Sequence, residues 1–196
     1  MSISMLSKQQ IPNALTMARI VFILPILYVL HEPSLAKEWV FWLFIIAAAT
    51  DFFDGYFARK WNVKSELGAM LDQISDKLLI IAILIPLALY GVTGVLTLLV
   101  IVLREIYVSG LREHLGMQQR TLPVSRVGKY KTAVQMIAVA ITLAGLTFSV
   151  PTFTLFDLNL GGSAQMVVLG NMVLVLGAIL GVISAIQYSL ALRKKA

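Results

Sequence analysis

The sequence predicts an all-α protein that crosses a membrane six times. Hydrophobic residues make up 59% of the 196-residue chain and charged residues only 13%, with a mean hydropathy of +0.87. A soluble protein of this size would need more charge to cover its surface. The apolar residues fall into six segments, each near the roughly 20 residues that a spanning helix requires. Because this length fits one domain, we take residues 1–196 as a single membrane domain.

The predicted spans leave little of the chain outside the bilayer. They cover residues 14–31, 38–59, 68–90, 93–115, 127–148 and 165–192. Residues 1–12 precede them as a short segment predicted to lie at the membrane interface, with Pro12 suited to the start of the first helix. Gly91 and Gly94 predict a tight turn, and residues 147–164 form the longest predicted loop.

Basic residues give the predicted orientation. Six spans place both termini on one side, and 15 of the 16 Lys and Arg residues lie on or toward that side, with Lys37 the exception. The positive-inside rule makes that side cytoplasmic, which predicts a multi-pass protein of the cell membrane with an N-in, C-in topology. The net charge of +6 is therefore an orientation signal and not a nucleic-acid signature. Cysteine is absent, which excludes disulfides, zinc-thiolate sites and thiol nucleophiles.

Four aspartates interrupt the apolar pattern of the second and third spans. Asp51 and Asp54 share one helix face, and Asp72 and Asp76 share another. A short basic connection over residues 60–67 joins the two spans, so they should be antiparallel neighbours. In that arrangement position 51 lies level with position 76, and position 54 with position 72, near the cytoplasmic end.

Two chemistries fit four carboxylates that face one another inside a membrane. They could not all remain ionised without a neutralising charge. Two Mg²⁺ or Mn²⁺ ions would supply it, as in sites for phosphoryl chemistry. The alternative is the cation path of a divalent-cation channel or transporter. Because all four acids lie near one membrane face, and spans one, five and six contain no acidic residue, the metal site is favoured.

The aspartates belong to a longer pattern that runs without a gap from Asp51 to Asp76. It reads D-x-x-D-G-x-x-A-R, eight residues, then G-x-x-x-D-x-x-x-D. This pattern resembles the signature of the CDP-alcohol phosphatidyltransferase family. The resemblance implies a six-helix fold, usually homodimeric, that binds two divalent metal ions in a lipid bilayer. It also implies transfer of a phosphatidyl or similar group from a CDP-linked donor to an alcohol, with release of CMP.

Three other segments indicate the acceptor. Residues 11–19, 104–113 and 128–135 resemble the bacterial family members that use CDP-diacylglycerol and glycerol 3-phosphate and make phosphatidylglycerophosphate. Gln73 departs from this group, which commonly has proline there, but it changes no ligand. Inositol phosphate, serine and phosphatidylglycerol are the alternative acceptors.

The resemblance assigns roles to the patterned residues. It implies that Asp51, Asp54 and Asp72 bind metal, and that Asp76 completes the second metal site and acts as the general base. A carboxylate at position 76 suits that role, since an attacking hydroxyl must lose a proton.

A second group of residues is predicted to bind the CDP-linked donor. It consists of Gly55, Ala58, Arg59, Gly68, Asn13 and Thr16. The small residues would let the nucleotide approach, although close helix packing uses the same residue types. Arg59 is interpreted either as a contact to the donor phosphates or as a cytoplasmic anchor. Asn13 and Thr16 either line the site or cap the first span.

Basic residues on the same side could bind the phosphate of an anionic acceptor. The candidates are Arg104, Arg112, Lys129 and Lys131. Arg104 follows an apolar run and therefore needs a partner. Glu105, Glu66 or a substrate phosphate could provide one, and the sequence leaves that choice open.

Overall fold

A computed structural model of the protein describes the backbone of residues 3–32, 38–60, 66–117, 126–148, 152–155 and 158–193. Side chains are described over residues 17–32, 38–50, 60, 71, 74–75, 77–117, 127–128, 130–148 and 162–192. The chain divides into two compact units, Met1–Pro86 and Leu87–Ala196, and each is described by itself.

The described backbone forms six helices and one short hairpin. The helices are α1 (Ile3–His31), α2 (Glu38–Lys60), α3 (Glu66–Leu89), α4 (Val95–Met117), α5 (Arg126–Thr147) and α6 (Ser163–Arg193). Apart from the start of α1, every helix end lies within two residues of a predicted span boundary. The predicted order of the six helices is therefore confirmed, and the bounds of α2 to α6 are close to those predicted.

The beginning of α1 corrects the predicted N-terminal boundary. Residues 3–12, expected to be a segment separate from the first span, are the opening turns of α1. Pro12 lies inside the helix and not at its start. A proline removes one backbone hydrogen bond but does not end a helix whose flanking residues continue it. Pro25 in α1 and Pro86 in α3 are accommodated in the same way.

The long predicted loop between α5 and α6 contains a β-hairpin, so the all-α prediction is incomplete. Its strands are β1 (Thr152–Leu155) and β2 (Leu158–Gly161). They pair antiparallel, with Thr152 opposite Gly161 and Leu155 opposite Leu158. The sequence Thr-Phe-Thr-Leu of β1 combines β-branched and aromatic residues, which suit a strand. Gly162, with φ of +84°, turns the chain from β2 into α6.

The turn predicted at Gly91 is confirmed and ends α3. Gly91 has φ of +71°, a left-handed conformation that glycine adopts without a Cβ penalty. Its N–H donates to the carbonyl of Ala88, and the N–H of Val92 donates to the carbonyl of Leu87 at 2.8 Å. This pair of bonds is a Schellman cap. Asn171 of α6 donates to the carbonyl of Val92, which ties the turn to α6.

The helices are apolar on their exposed faces as well as inside. Among the described residues, Tyr130–Thr147 of α5 and Ser163–Leu192 of α6 are long and apolar enough to cross a bilayer. Shorter apolar segments occupy Met17–His31, Glu38–Thr50 and Lys77–Leu89. Exposed apolar side chains on α6 include Val168, Leu169, Met172, Val175, Leu176 and Ile179. Exposed apolar surface of this kind is unfavourable in water and indicates a membrane protein.

Glycines allow α5 and α6 to pack with their backbones in contact. A Cβ added at Gly170 would lie 2.8 Å from the backbone nitrogen of Thr142. A Cβ added at Gly145 would lie 2.9 Å from the backbone nitrogen of Val167. Close approach through small residues is a common way for helices to associate within membranes.

This packing predicts a selective loss of stability on adding one methyl group. Gly170→Ala forces α5 and α6 apart, and overpacking of this kind costs about 1–3 kcal/mol. Thermal unfolding of the detergent-solubilised protein should show a lower midpoint than wild type. Gly110→Ala is the matched control, because a Cβ there has no atom within 4 Å. An equal midpoint for Gly170→Ala and Gly110→Ala would contradict the packing account.

Candidate active site

The aspartate pattern lies on α2 and α3. Asp51 and Asp54 belong to α2, and Asp72 and Asp76 belong to α3. Asp54 lies six residues before the end of α2, and Asp72 lies six residues after the start of α3. At about 1.5 Å of rise per residue, each is roughly 9 Å from its helix end.

The side chains of the four aspartates lie outside the described side chains. Among the side chains that are described, no group of three or more His, Asp or Glu residues could hold a metal ion. Six donor-binding positions also fall outside that set, namely Gly55, Ala58, Arg59, Gly68, Asn13 and Thr16. The structure therefore gives their places on α1, α2 and α3, and their roles stay predictions.

A buried arginine ties α1 to the segment of α3 that carries the aspartates. Arg19 is fully buried, and its Nη1 donates to Ser75 Oγ at 2.9 Å. Ser75 is also fully buried and lies between Asp72 and Asp76 in the sequence. An arginine in an apolar helix signals a need for a partner. The sequence alone did not identify Ser75 as that partner.

In the second unit, Arg104 of α4 has a clear set of partners. Its Nη1 donates to Glu105 Oε1 at 2.9 Å, which answers the question left open by the sequence. Its Nε donates to the carbonyl of Gly181 at 3.2 Å, and its Nη2 donates to Ser184 Oγ at 2.6 Å. Arg104 therefore joins α4 to α6 while its charge is compensated by its neighbour in sequence.

Lys131 of α5 shares the same carboxylate. Its Nζ donates to Glu105 Oε1, the oxygen that also accepts from Arg104. Both Lys131 and Glu105 are buried, with 4% and 7% of their surfaces exposed. The structure thus brings together two of the four predicted acceptor-binding cations. The sequence indicated Glu105 only as a possible partner of Arg104, whereas in the structure Glu105 links Arg104 to Lys131.

The other two predicted acceptor-binding cations are Arg112 and Lys129. Arg112 is half-buried on α4, eight residues after Arg104, and so roughly 12 Å farther along that helix. Lys129 is the fourth residue of α5, two residues before Lys131, and its side chain lies outside the described residues.

A groove opens between α4 and α6 beside Arg104. Its volume is about 520 Å³, and apolar side chains such as Val100, Leu103 and Ile186 line most of it. Its polar lining comes from Arg104, Tyr107 and Ser189, and the hydroxyls of the last two lie 2.8 Å apart. The Tyr107–Ser189 contact provides a second polar connection between α4 and α6.

Comparison with known proteins supports the family that the aspartate pattern indicates. Residues 9–186 match the model of the CDP-alcohol phosphatidyltransferase family. The chain therefore belongs to the CDP-alcohol phosphatidyltransferases.

Curated relatives of the chain carry a more specific name. A Rickettsia felis protein named CDP-diacylglycerol–glycerol-3-phosphate 3-phosphatidyltransferase is 37% identical over 187 residues, covering 95% of this chain and 97% of the relative. Proteins of the same name from Rickettsia bellii and Bacillus subtilis are 43% and 42% identical. Those two matches cover 70% and 60% of this chain, and 76% and 62% of the relatives.

Proposed function

We propose that this protein transfers the phosphatidyl group of CDP-diacylglycerol to sn-glycerol 3-phosphate, giving phosphatidylglycerophosphate and CMP. The observation that carries the proposal is the likeness to the Rickettsia felis transferase, which extends over 95% of the chain. The uninterrupted aspartate pattern from Asp51 to Asp76 supplies the residues for the reaction class.

In the proposed reaction, a hydroxyl oxygen of glycerol 3-phosphate attacks the phosphorus of the phosphatidyl group. A new P–O bond forms as the bond from that phosphorus to the bridging oxygen of CMP breaks, and CMP leaves with the electron pair. Asp76 accepts the proton that the attacking hydroxyl releases.

The donor set suits hard divalent cations. Four carboxylates supply only oxygen ligands, which Mg²⁺ and Mn²⁺ prefer, and substrate phosphate oxygens usually complete such sites. We propose that Asp51, Asp54 and Asp72, together with Asp76, hold two ions. When bound, these ions would neutralise the diphosphate and stabilise the departing CMP.

Residues on α1, α2 and α3 would bind the donor. In this proposal Gly55, Ala58 and Gly68 leave room for the nucleotide, and Arg59 contacts its phosphates. Asn13 and Thr16 line the same site from α1. The buried bond from Arg19 to Ser75 supports this arrangement, because it fixes α1 against the stretch of α3 between two of the aspartates.

The acceptor phosphate would be bound by Arg104, Arg112, Lys129 and Lys131. A phosphomonoester carries nearly two negative charges and needs several donors to leave bulk water. The convergence of Arg104 and Lys131 on one carboxylate supports this assignment, since it concentrates cations at one place in the second unit.

These assignments predict an effect on one substrate only. Lys129→Ala or Arg112→Ala removes one charged hydrogen bond, worth about 1.5–3 kcal/mol. The KM for glycerol 3-phosphate should therefore rise about 10- to 150-fold, while the KM for CDP-diacylglycerol stays nearly unchanged. Both constants are measured on one detergent preparation. Equal increases for the two substrates would assign these residues to the fold or to the nucleotide.

We also propose the membrane arrangement that the charge pattern supports. All six helices would span the cell membrane, with both termini and the aspartates toward the cytoplasm. Assembly as a homodimer is proposed from the family resemblance.

The acceptor identity is tested by CMP release from the purified protein. CDP-diacylglycerol is supplied with Mg²⁺ and, in turn, glycerol 3-phosphate, inositol phosphate, serine or phosphatidylglycerol. We expect the highest kcat/KM with glycerol 3-phosphate. A higher value with any other acceptor would overturn the assignment while leaving the reaction class in place.

A further inference from the structure

Glu105 has an unusual position for an acid in an apolar helix. It is buried in α4, and its Oε1 accepts hydrogen bonds from cations on two different elements of the same unit. One comes from Arg104 beside it on α4, and the other from Lys131 on α5. Since one oxygen accepts both bonds, it determines how far apart the two cationic groups lie.

The surroundings hold the two cations side by side. A Cβ at Gly181 of α6 would lie 3.5 Å from Lys131 Cδ and 3.6 Å from Arg104 Cδ. The aliphatic parts of the Lys131 and Arg104 side chains therefore both lie against α6 at Gly181, which has no side chain. Arg104 is also bonded to the Gly181 carbonyl and to Ser184 Oγ, so α6 helps to orient the guanidinium.

Stability alone gives a weak reason for this arrangement. Buried ion pairs are often replaceable by apolar residues without loss of stability, because desolvation of the charges offsets their attraction. Placing two cations at adjacent sites adds a repulsion that a single pair would not have. The carboxylate of Glu105 offsets that repulsion and so allows both cations to remain together.

We propose that Glu105 is a positioning residue, which holds Lys131 and Arg104 in the geometry that binds the phosphate of the acceptor. This inference rests on the proposed function, which assigns these two cations to the acceptor. Glu105 itself does not contact the substrate, and a carboxylate would repel a phosphate placed against it.

The test compares substrate constants in Glu105→Gln. Glutamine keeps the shape and one carbonyl acceptor but removes the charge, so the two cations should move apart. Misplacement of binding groups by about 1 Å can cost about 10²-fold. We expect the KM for glycerol 3-phosphate to rise about 10- to 100-fold, with the KM for CDP-diacylglycerol within about twofold of wild type. A residue that only holds the fold would not separate the two constants.

A second variant covers the case in which Glu105→Gln does not fold. Glu105→Asp keeps the charge but withdraws it by one methylene group. It should give a smaller rise in the KM for glycerol 3-phosphate and again leave the donor constant unchanged. Ser189→Ala is the control, because it breaks a polar contact in the same unit, between α4 and α6, that involves no charge. Both constants should stay at wild-type values in that control.

A double variant shows whether Glu105 acts through Lys131. Because Glu105 is proposed to position Arg104 as well, Glu105→Gln should still raise the acceptor KM in a Lys131→Met background, but by a smaller factor than in the wild-type background, as coupled residues are non-additive. Three results would each overturn the proposal. The two substitutions could multiply their separate effects on the acceptor KM in the double variant. Alternatively, Glu105→Gln could change the KM of donor and acceptor equally, or change neither. A normal acceptor KM in Lys131→Met would overturn both this inference and the role of Lys131. In either case, CMP release by the wild-type protein with glycerol 3-phosphate tests the proposed function separately.

Discussion

Replacing Asp76 by asparagine should lower turnover by about 10²- to 10⁴-fold, the usual worth of general base catalysis. Asparagine keeps the size of the side chain and one oxygen ligand but cannot accept the proton of the attacking hydroxyl. Donor binding should therefore be retained. The measurement is steady-state CMP release, together with equilibrium binding of CDP-diacylglycerol to the same variant.

Asp54→Asn serves as the comparison for Asp76→Asn. It alters a predicted metal ligand without removing the predicted base, so its defect should be relieved in part by raising the Mg²⁺ concentration. The defect of Asp76→Asn should persist at saturating metal. Near-wild-type turnover in Asp76→Asn would show that another group removes the proton.

Removal of divalent metal should abolish activity completely. Four carboxylates on α2 and α3 need a neutralising charge, and the diphosphate of the donor adds further negative charge at the same place. Excess chelator should therefore stop CMP release, and Mg²⁺ or Mn²⁺ should restore it. Asp51→Asn and Asp72→Asn should each raise the metal concentration needed for half-maximal rate. Full CMP release in excess chelator would contradict the metal-binding role of the aspartates.

Much of the fold could be predicted because the bilayer imposes a simple rule. Apolar segments of the required length must be helical, since a helix satisfies its own backbone hydrogen bonds in lipid. The bounds of α2 to α6 follow from this rule together with local signals such as Gly91 at the end of α3. The placement of the aspartates on α2 and α3 followed from the same rule, and their shared helix faces stay a prediction from the i, i+3 and i, i+4 spacing.

The parts that sequence did not predict depend on weaker or longer-range signals. The start of α1 was misplaced because Pro12 fits both the first turn and the interior of a membrane helix. The hairpin of β1 and β2 was missed because four-residue strands carry little periodicity. Two contacts could not be predicted because their partners are far apart in the sequence. The bonds from Arg19 to Ser75 and from Lys131 to Glu105 join residues 56 and 26 positions apart. A charged residue in an apolar helix indicates that it has a partner, but the sequence does not show which residue that partner is.

The lipid product shows whether this chain joins a phosphatidyl group to glycerol 3-phosphate, as we propose. Purified protein is incubated with CDP-diacylglycerol, glycerol 3-phosphate and Mg²⁺, and the lipids are analysed by mass spectrometry alongside CMP. We expect phosphatidylglycerophosphate in equal molar amount to CMP. In the Asp76→Asn variant, each product should form at no more than about a hundredth of the wild-type rate. CMP accompanied by phosphatidic acid, or no CMP at all with this acceptor, would contradict the proposal.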